Sequence, residues 1–191
     1  MKKINVLAVL ILLAGTTFAQ TTWTIDKPHT SVSFAATHMV VAETAGSFKD
    51  FDGQVISKTE DFNGATVEFS AKVASLSTDN EKRDGHLKSD DFFSAEKFPE
   101  VKFKGVLSKD GGKYVLKGDL TMRDVTKPAT FDVVYKGSIN AFGGTKAGFK
   151  LTGSVNRFDY GLKWDKTLET GGLIVGQDVT ITSNIELNKA K

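Results

Sequence analysis

The chain has 191 residues, 25 Lys and Arg against 23 Asp and Glu, three His and no Cys. Without Cys there is no disulfide framework and no thiol nucleophile. Lys2 and Lys3 supply the small positive surplus, and from residue 20 onward the charges balance at 23 of each sign. They are also interspersed, which excludes the basic groove that nucleic acid requires.

In chain order, Met1 to Ala19 reads as a signal peptide. Lys2 and Lys3 form a positive n-region, Val6 to Ala14 an apolar run, and Thr17-Phe18-Ala19 a small-residue cleavage site before Gln20. The run is too short to span a bilayer, which takes roughly 20 residues. No stable membrane anchor is therefore expected, and residues 20–191 form one domain that is periplasmic or secreted.

From there the period is two. Val32, Phe34, Ala36 and His38 share one face of an early strand. After the Asn63-Gly64 turn signal, Thr66 to Val73 places Val67, Phe69, Ala71 and Val73 together. Val101 and Phe103 begin a further strand. Asp110-Gly111-Gly112 marks a hairpin, and Lys113 to Met122 then carries Tyr114, Leu116, Gly118, Leu120 and Met122 on one side. Ala129, Phe131, Val133 and Tyr135 follow. Beyond Gly143-Gly144 come Ala147, Phe149, Leu151, Gly153 and Val155, and after Gly171-Gly172 come Val179, Ile181, Ser183, Ile185 and Leu187. Such alternation is the mark of antiparallel strands with one buried face.

One stretch breaks the pattern. Ser77 to Pro99 predicts a short helical insertion over about residues 78–98, read as a lid. Thr78 and Glu81 have capping-box spacing, and Ser89 is placed to cap a second turn bearing Phe92 and Phe93. Pro99 returns the chain to extended form, because it lacks an N–H and restricts the residue before it.

About eight evenly spaced strands must hide their edges. A closed eight-stranded antiparallel barrel does so fully; a two-sheet sandwich is the rival. Ala36, Ala71, Gly118, Ala129, Ala147 and Gly153 all fall on the inward parity. Small residues among aromatics leave room for a ligand, or else mark strand bends and close sheet contact. The reading adopted is an all-β barrel with a cavity.

Trp23-Thr24-Ile25-Asp26, His29, Phe34, His38, Gly46-Ser47-Phe48 and Phe51-Asp52-Gly53 resemble the opening of the YceI-like family. Thr78, Arg83-Asp84-Gly85-His86-Leu87, Phe92-Phe93, Phe98-Pro99 and Phe103 resemble its central signature. Gly118 to Thr121, Val125 to Pro128, Arg157-Phe158-Asp159-Tyr160-Gly161 and Val179 resemble the rest. Met122-Arg123-Asp124 departs from the family pattern, in a turn. The resemblance implies a lipocalin-like barrel, export to the periplasm, and a long apolar cavity for a polyisoprenoid or another amphiphilic lipid.

The expected ligand contacts are Phe34, Ala36, His38, Val67, Phe69, Ala71, Phe103, Gly118, Leu120, Phe131, Phe149, Leu151 and Ile181 on the walls, with Arg83 and His86 on the insertion. Arg83 has the planar fork that suits phosphate, although Asp79 four residues earlier offers an ordinary helix pair; Asp84 and Lys88 have the same spacing. His38 reads equally as a head-group donor or as a buried neutral imidazole. Lys127 and Arg157 are weaker candidates for such a role, since residues so placed are more often strand-end surface charges. His29, His38 and His86 are too far apart in the chain for a recognisable metal set. No metal, cofactor or catalytic residue is expected; there is no nucleophile elbow and no H-E-x-x-H.

The leading expectation is a binding or carrier protein for a long-chain isoprenoid lipid. The alternatives are a lipid-modifying isomerase or cyclase using His38 and Arg83, and a filled barrel that binds a protein partner on its outer face. The oligomeric state stays open, with a dimer among the options.

Overall fold

The computed structural model describes residues 20–190, so the expected leader, Met1 to Ala19, lies outside the described residues. The strands are β1 (Thr21–Ile25), β2 (Ser31–His38), β3 (Ala42–Phe48), β4 (Phe51–Ser57), β5 (Ala65–Lys72), β6 (Leu76–Ser77), β7 (Glu100–Asp110), β8 (Lys113–Met122), β9 (Val125–Ala141), β10 (Gly144–Asn156) and β11 (Val175–Lys189). Helix α1 (Glu81–Lys88) lies between β6 and β7.

Every pairing is antiparallel, and the order β1-β4-β5-β7-β8-β9-β10-β11 closes through β1 against β11. This is a closed eight-stranded barrel. β2, β3 and β6 continue the wall beyond β1, β4 and β5, because three of the eight strands bend partway. The first bend is a 3-10 turn at Lys27–His29, where Pro28 removes a ladder donor. The second is at Lys49 and Asp50, and the third is the 3-10 turn Val73–Ser75. The corners stay hydrogen-bonded: Lys72 N donates to Asp50 O at 2.9 Å and Lys49 N to Ser75 O at 3.2 Å.

The two ends differ. One carries the β4–β5, β7–β8 and β9–β10 connections. There Phe62 is 0% exposed, with its ring 5.0 Å from Trp23, 5.0 Å from Phe149 and 5.5 Å from Tyr135. Tyr114 donates its hydroxyl to Asp61 O at 2.8 Å, holding the loop that brings Phe62 in. These tilted and edge-on rings plug the barrel. The other end carries the β2–β3 hairpin, the α1 insertion, the β8–β9 turn and the long β10–β11 connection.

The insertion is helical as expected, but its cap is one the sequence reading did not assign. Asp79 adopts φ 58°, so the chain turns before the helix, and Asn80 accepts from Arg83 N at 3.0 Å. Thr78 instead donates its hydroxyl to Asp84 at 2.5 Å and its backbone N–H to the same oxygen at 2.8 Å. Ser89 closes the helix, its N–H bonding His86 O at 3.1 Å.

Candidate ligand cavity

The barrel encloses a cavity of about 200 Å³. One water needs only about 10–15 Å³ of such volume, so this space suits a chain rather than a solvent molecule. Of the expected contacts, Phe34, Ala36, Val67, Phe69, Ala71, Phe103, Leu120, Phe131, Leu151 and Ile181 line it. Leu87, Phe92 and Phe93 from the insertion and Leu162 from the β10–β11 connection roof it.

The small inward residues act less simply than as empty space. A Cβ on Gly46 would lie 2.4 Å from Phe34 Cζ, one on Gly153 2.5 Å from Phe131 Cδ1, and one on Gly105 2.5 Å from the Lys117 carbonyl oxygen and 2.7 Å from Phe103 Cζ. Each glycine thus gives an aromatic ring a place against the wall, and the three rings line the lumen without filling it.

Five expected contacts lie elsewhere. Gly118 faces Gly105 across β7–β8, and its Cβ position is 2.2 Å from Lys104 O and 2.4 Å from Gly105 Cα. It permits close strand contact and does not open the lumen. Phe149 belongs to the plug around Phe62. His38 ends β2 opposite Ala42 and Val175, half-exposed. Arg83 is on the outer side of α1, where Nε donates to Thr78 Oγ1 at 2.7 Å and Nη2 to Thr78 O at 2.8 Å. It pairs with neither Asp79 nor the cavity. His86 Nε2 lies 2.8 Å from Asp91 Oδ2, and its ring meets Phe92 and Trp164 edge-on at 5.1 and 5.4 Å. A reaction needing His38 and Arg83 together in the lumen has no geometric basis here.

Residues 23–187 match the family model of the YceI-like domain. The chain belongs to the YceI-like family. A UPF0312 protein of Staphylococcus aureus (strain MSSA476) is 36% identical over 170 residues, which span 88% of this chain and 98% of that one. A crystal structure of a Campylobacter jejuni YCEI protein aligns with a TM-score of 0.70 at 27% identity, covering 81% of this chain and 90% of that one. A polyisoprenoid-binding domain from Saccharophagus degradans, implicated in plant cell wall breakdown, shares the fold with a TM-score of 0.62 at 10% identity, over 88% and 98% of the two chains.

In this YceI-like barrel two arginines have roles that the sequence did not assign them. Arg157 is 3% exposed and is no surface charge. Nε donates to Gly176 O (2.9 Å), Nη1 to Leu162 O (2.5 Å), and Nη2 to Trp164 O (2.7 Å) and Val175 O (2.8 Å). Phe158 lies 4.3 Å from the guanidinium carbon. Burial pushes its pKa down, opposed by the charge of Asp165. Arg157 reaches the cavity wall, but its donors clamp the β10–β11 connection that forms the roof. Arg123 sits in the β8–β9 turn at φ 50° and donates to Phe92 O at 2.7 Å and Gly161 O at 2.8 Å. It ties the insertion to the same connection. Arg123 stands in a turn and off the apolar alternation, whereas Arg157 stands two residues after Val155 on the inward parity, which was the sequence signal for its burial.

The bend between β1 and β2 holds a charged cluster. Lys146 Nζ lies 2.6 Å from both Asp26 Oδ2 and Glu186 Oε1, and His29 Nδ1 is 3.1 Å from Asp26 Oδ1. The Lys146 hydrogen bond, assisted by His29, lowers the Asp26 pKa to about 2 against the desolvation that raises it. Asp26, His29 and Glu186 are close enough to share a cation. Lys146 already supplies that positive charge, and the group is a strap across β1, β10 and β11.

Proposed function

We propose that this YceI-like barrel binds a long-chain amphiphilic lipid, of polyisoprenoid type, in its central cavity, and that it works as an exported carrier in the periplasm. The observation that carries this reading is the lumen itself: apolar along its length, plugged by Phe62 at one end and roofed by Leu87, Phe92, Phe93 and Leu162 at the other. Burying apolar carbon contributes about 0.8 kcal/mol per CH₂, so one isoprene unit adds up to about 4 kcal/mol before ordering costs. The chain supplies the affinity, and the polar end lies toward the roof because the other end is closed. The Saccharophagus domain described as polyisoprenoid-binding has the same fold, which guides the choice of ligand class.

The test is organic extraction of protein purified from the exported fraction, followed by mass spectrometry and titration with a long prenyl alcohol. A co-purified prenyl or other long-chain lipid and saturable uptake are expected. Material that yields no lipid and takes none up overturns the reading. Intact mass tests export: a chain beginning at Gln20 is expected, and retention of Met1 overturns it.

A further inference from the structure

We propose that the β2–β3 hairpin tip, Met39-Val40-Val41, inserts into the apolar boundary of a phospholipid bilayer and sets the barrel's roofed end against the membrane that delivers its ligand. This rests on the lipid-binding reading above. The tip exposes three consecutive apolar side chains, 42%, 63% and 86% accessible. A hairpin turn ordinarily uses Gly, Asn or Asp there. Instead Met39 and Val40 adopt φ 51° and 67°, a conformation that is strained for a β-branched residue. The chain therefore carries both exposure and strain at a position where a polar residue would remove both.

The tip is continuous with the cavity. Met39 N donates to Ile174 O at 2.8 Å, a Val40 methyl lies 3.0 Å from where a Gly172 side chain would begin, and the next residue, Val175, lines the lumen. It overhangs the roofed end, the way in that Phe62 leaves. Exposing a long apolar tail to water costs free energy in proportion to its length, so transfer by direct contact is far less costly than release. Glu43 follows the tip on β3, and Lys166 is tied to the tip through Ile174, whose N–H donates to Lys166 O at 2.9 Å, so the nearby charges are of opposite sign. Docking is thus hydrophobic, works on zwitterionic membranes and changes little with salt.

The experiment uses phosphatidylcholine vesicles loaded with a long prenyl alcohol, and the double variant Val40→Asn, Val41→Ser. Asn tolerates a left-handed backbone, so the variant folds at least as stably as the parent, checked by thermal melt. Uptake from vesicles is expected to slow tenfold or more, while equilibrium binding of the same alcohol delivered from detergent stays within twofold. Separately, Val41→Trp without added ligand is expected to show a blue-shifted emission quenched by doxyl-labelled lipids. Equal uptake rates for parent and variant overturn the proposal. So does an unquenched Val41→Trp, or light scattering that shows the tip buried in a dimer which the double variant dissolves. Failure of detergent-delivered binding in every protein speaks against the carrier reading instead, and the quenching result then decides docking alone.

Discussion

A side chain at Gly46 would begin 2.4 Å from Phe34 Cζ and 2.8 Å from Thr78 Cγ2, both side-chain atoms, whereas one at Gly118 would meet Lys104 O and Gly105 Cα, both backbone. The difference sets two outcomes. Gly46→Ala is expected to push the Phe34 ring into the lumen, weakening lipid binding about tenfold, near 1.4 kcal/mol, for an overpacking cost of about 1–3 kcal/mol. Gly118→Ala has no side chain to displace, so it forces β7 from β8 and loses more stability than that. Denaturant midpoints and lipid titrations on the pair check this; equal losses in both would remove the distinction. Arg83 gives a second test at this scale. Its Nε and Nη2 donate to Thr78 on the outer side of the insertion, away from the lumen. Arg83→Ala is therefore expected to change the affinity for a prenyl pyrophosphate and for the neutral prenyl alcohol of equal length by the same factor. A selective loss of the pyrophosphate in paired titrations would return Arg83 to the head-group site.

Among the elements, the bend between β1 and β2 has a pH signature. The Asp26 carboxyl is lowered from 3.8 to about 2, first by the Lys146 hydrogen bond. A depressed carboxyl contributes stability that is full above its unfolded pKa and is lost as pH falls through the folded one. The window is thus from about 4 down to about 2. The Lys146 pKa is raised by the same partners, so its contribution persists until alkaline pH exceeds the lysine range. Lys146→Met leaves Asp26 and Glu186 together without their cation and is expected to lower stability at neutral pH. Melting curves from pH 7 to 3 should show the parent losing stability below pH 4, with the variant's loss in that window smaller. Parallel curves would mean that the strap is not the acid-sensitive element.

For the whole molecule, closure at one end and a roof at the other make a blind tube. Phe62 is the largest of the fully buried side chains, ringed by Trp23, Tyr135 and Phe149. Phe62→Ala is expected to cost about 3–5 kcal/mol and to join its own void to the lumen. The variant should accept longer prenyl chains than the parent, read by competition between alcohols of graded length against its denaturant midpoint. Lost stability with unchanged length preference would place the floor of the cavity elsewhere.

The barrel was legible because its cause is local. A pleated strand points alternate side chains to opposite faces, so Thr66 to Val73 and Asp178 to Leu187 declare a buried face without their partners. The unpatterned run Ser77 to Pro99 declares the insertion in the same way. Parity says which side chains point inward, and no more. Whether an inward residue meets lumen, plug or neighbouring backbone depends on closure and register between distant strands. Register set Gly105 opposite Gly118 and made a contact where the alternation had suggested space. The β4–β5 loop brought Phe62 to Phe149 and took that ring out of the cavity. Arg157 and Arg123 found their acceptors on backbone carbonyls, which carry no sequence signal and are placed only when the β10–β11 connection folds over the barrel's end. The sequence alone thus determined the wall and its apolar inner face, while the tertiary structure decided where the tube is blocked, what roofs it and which polar side chains hold that roof.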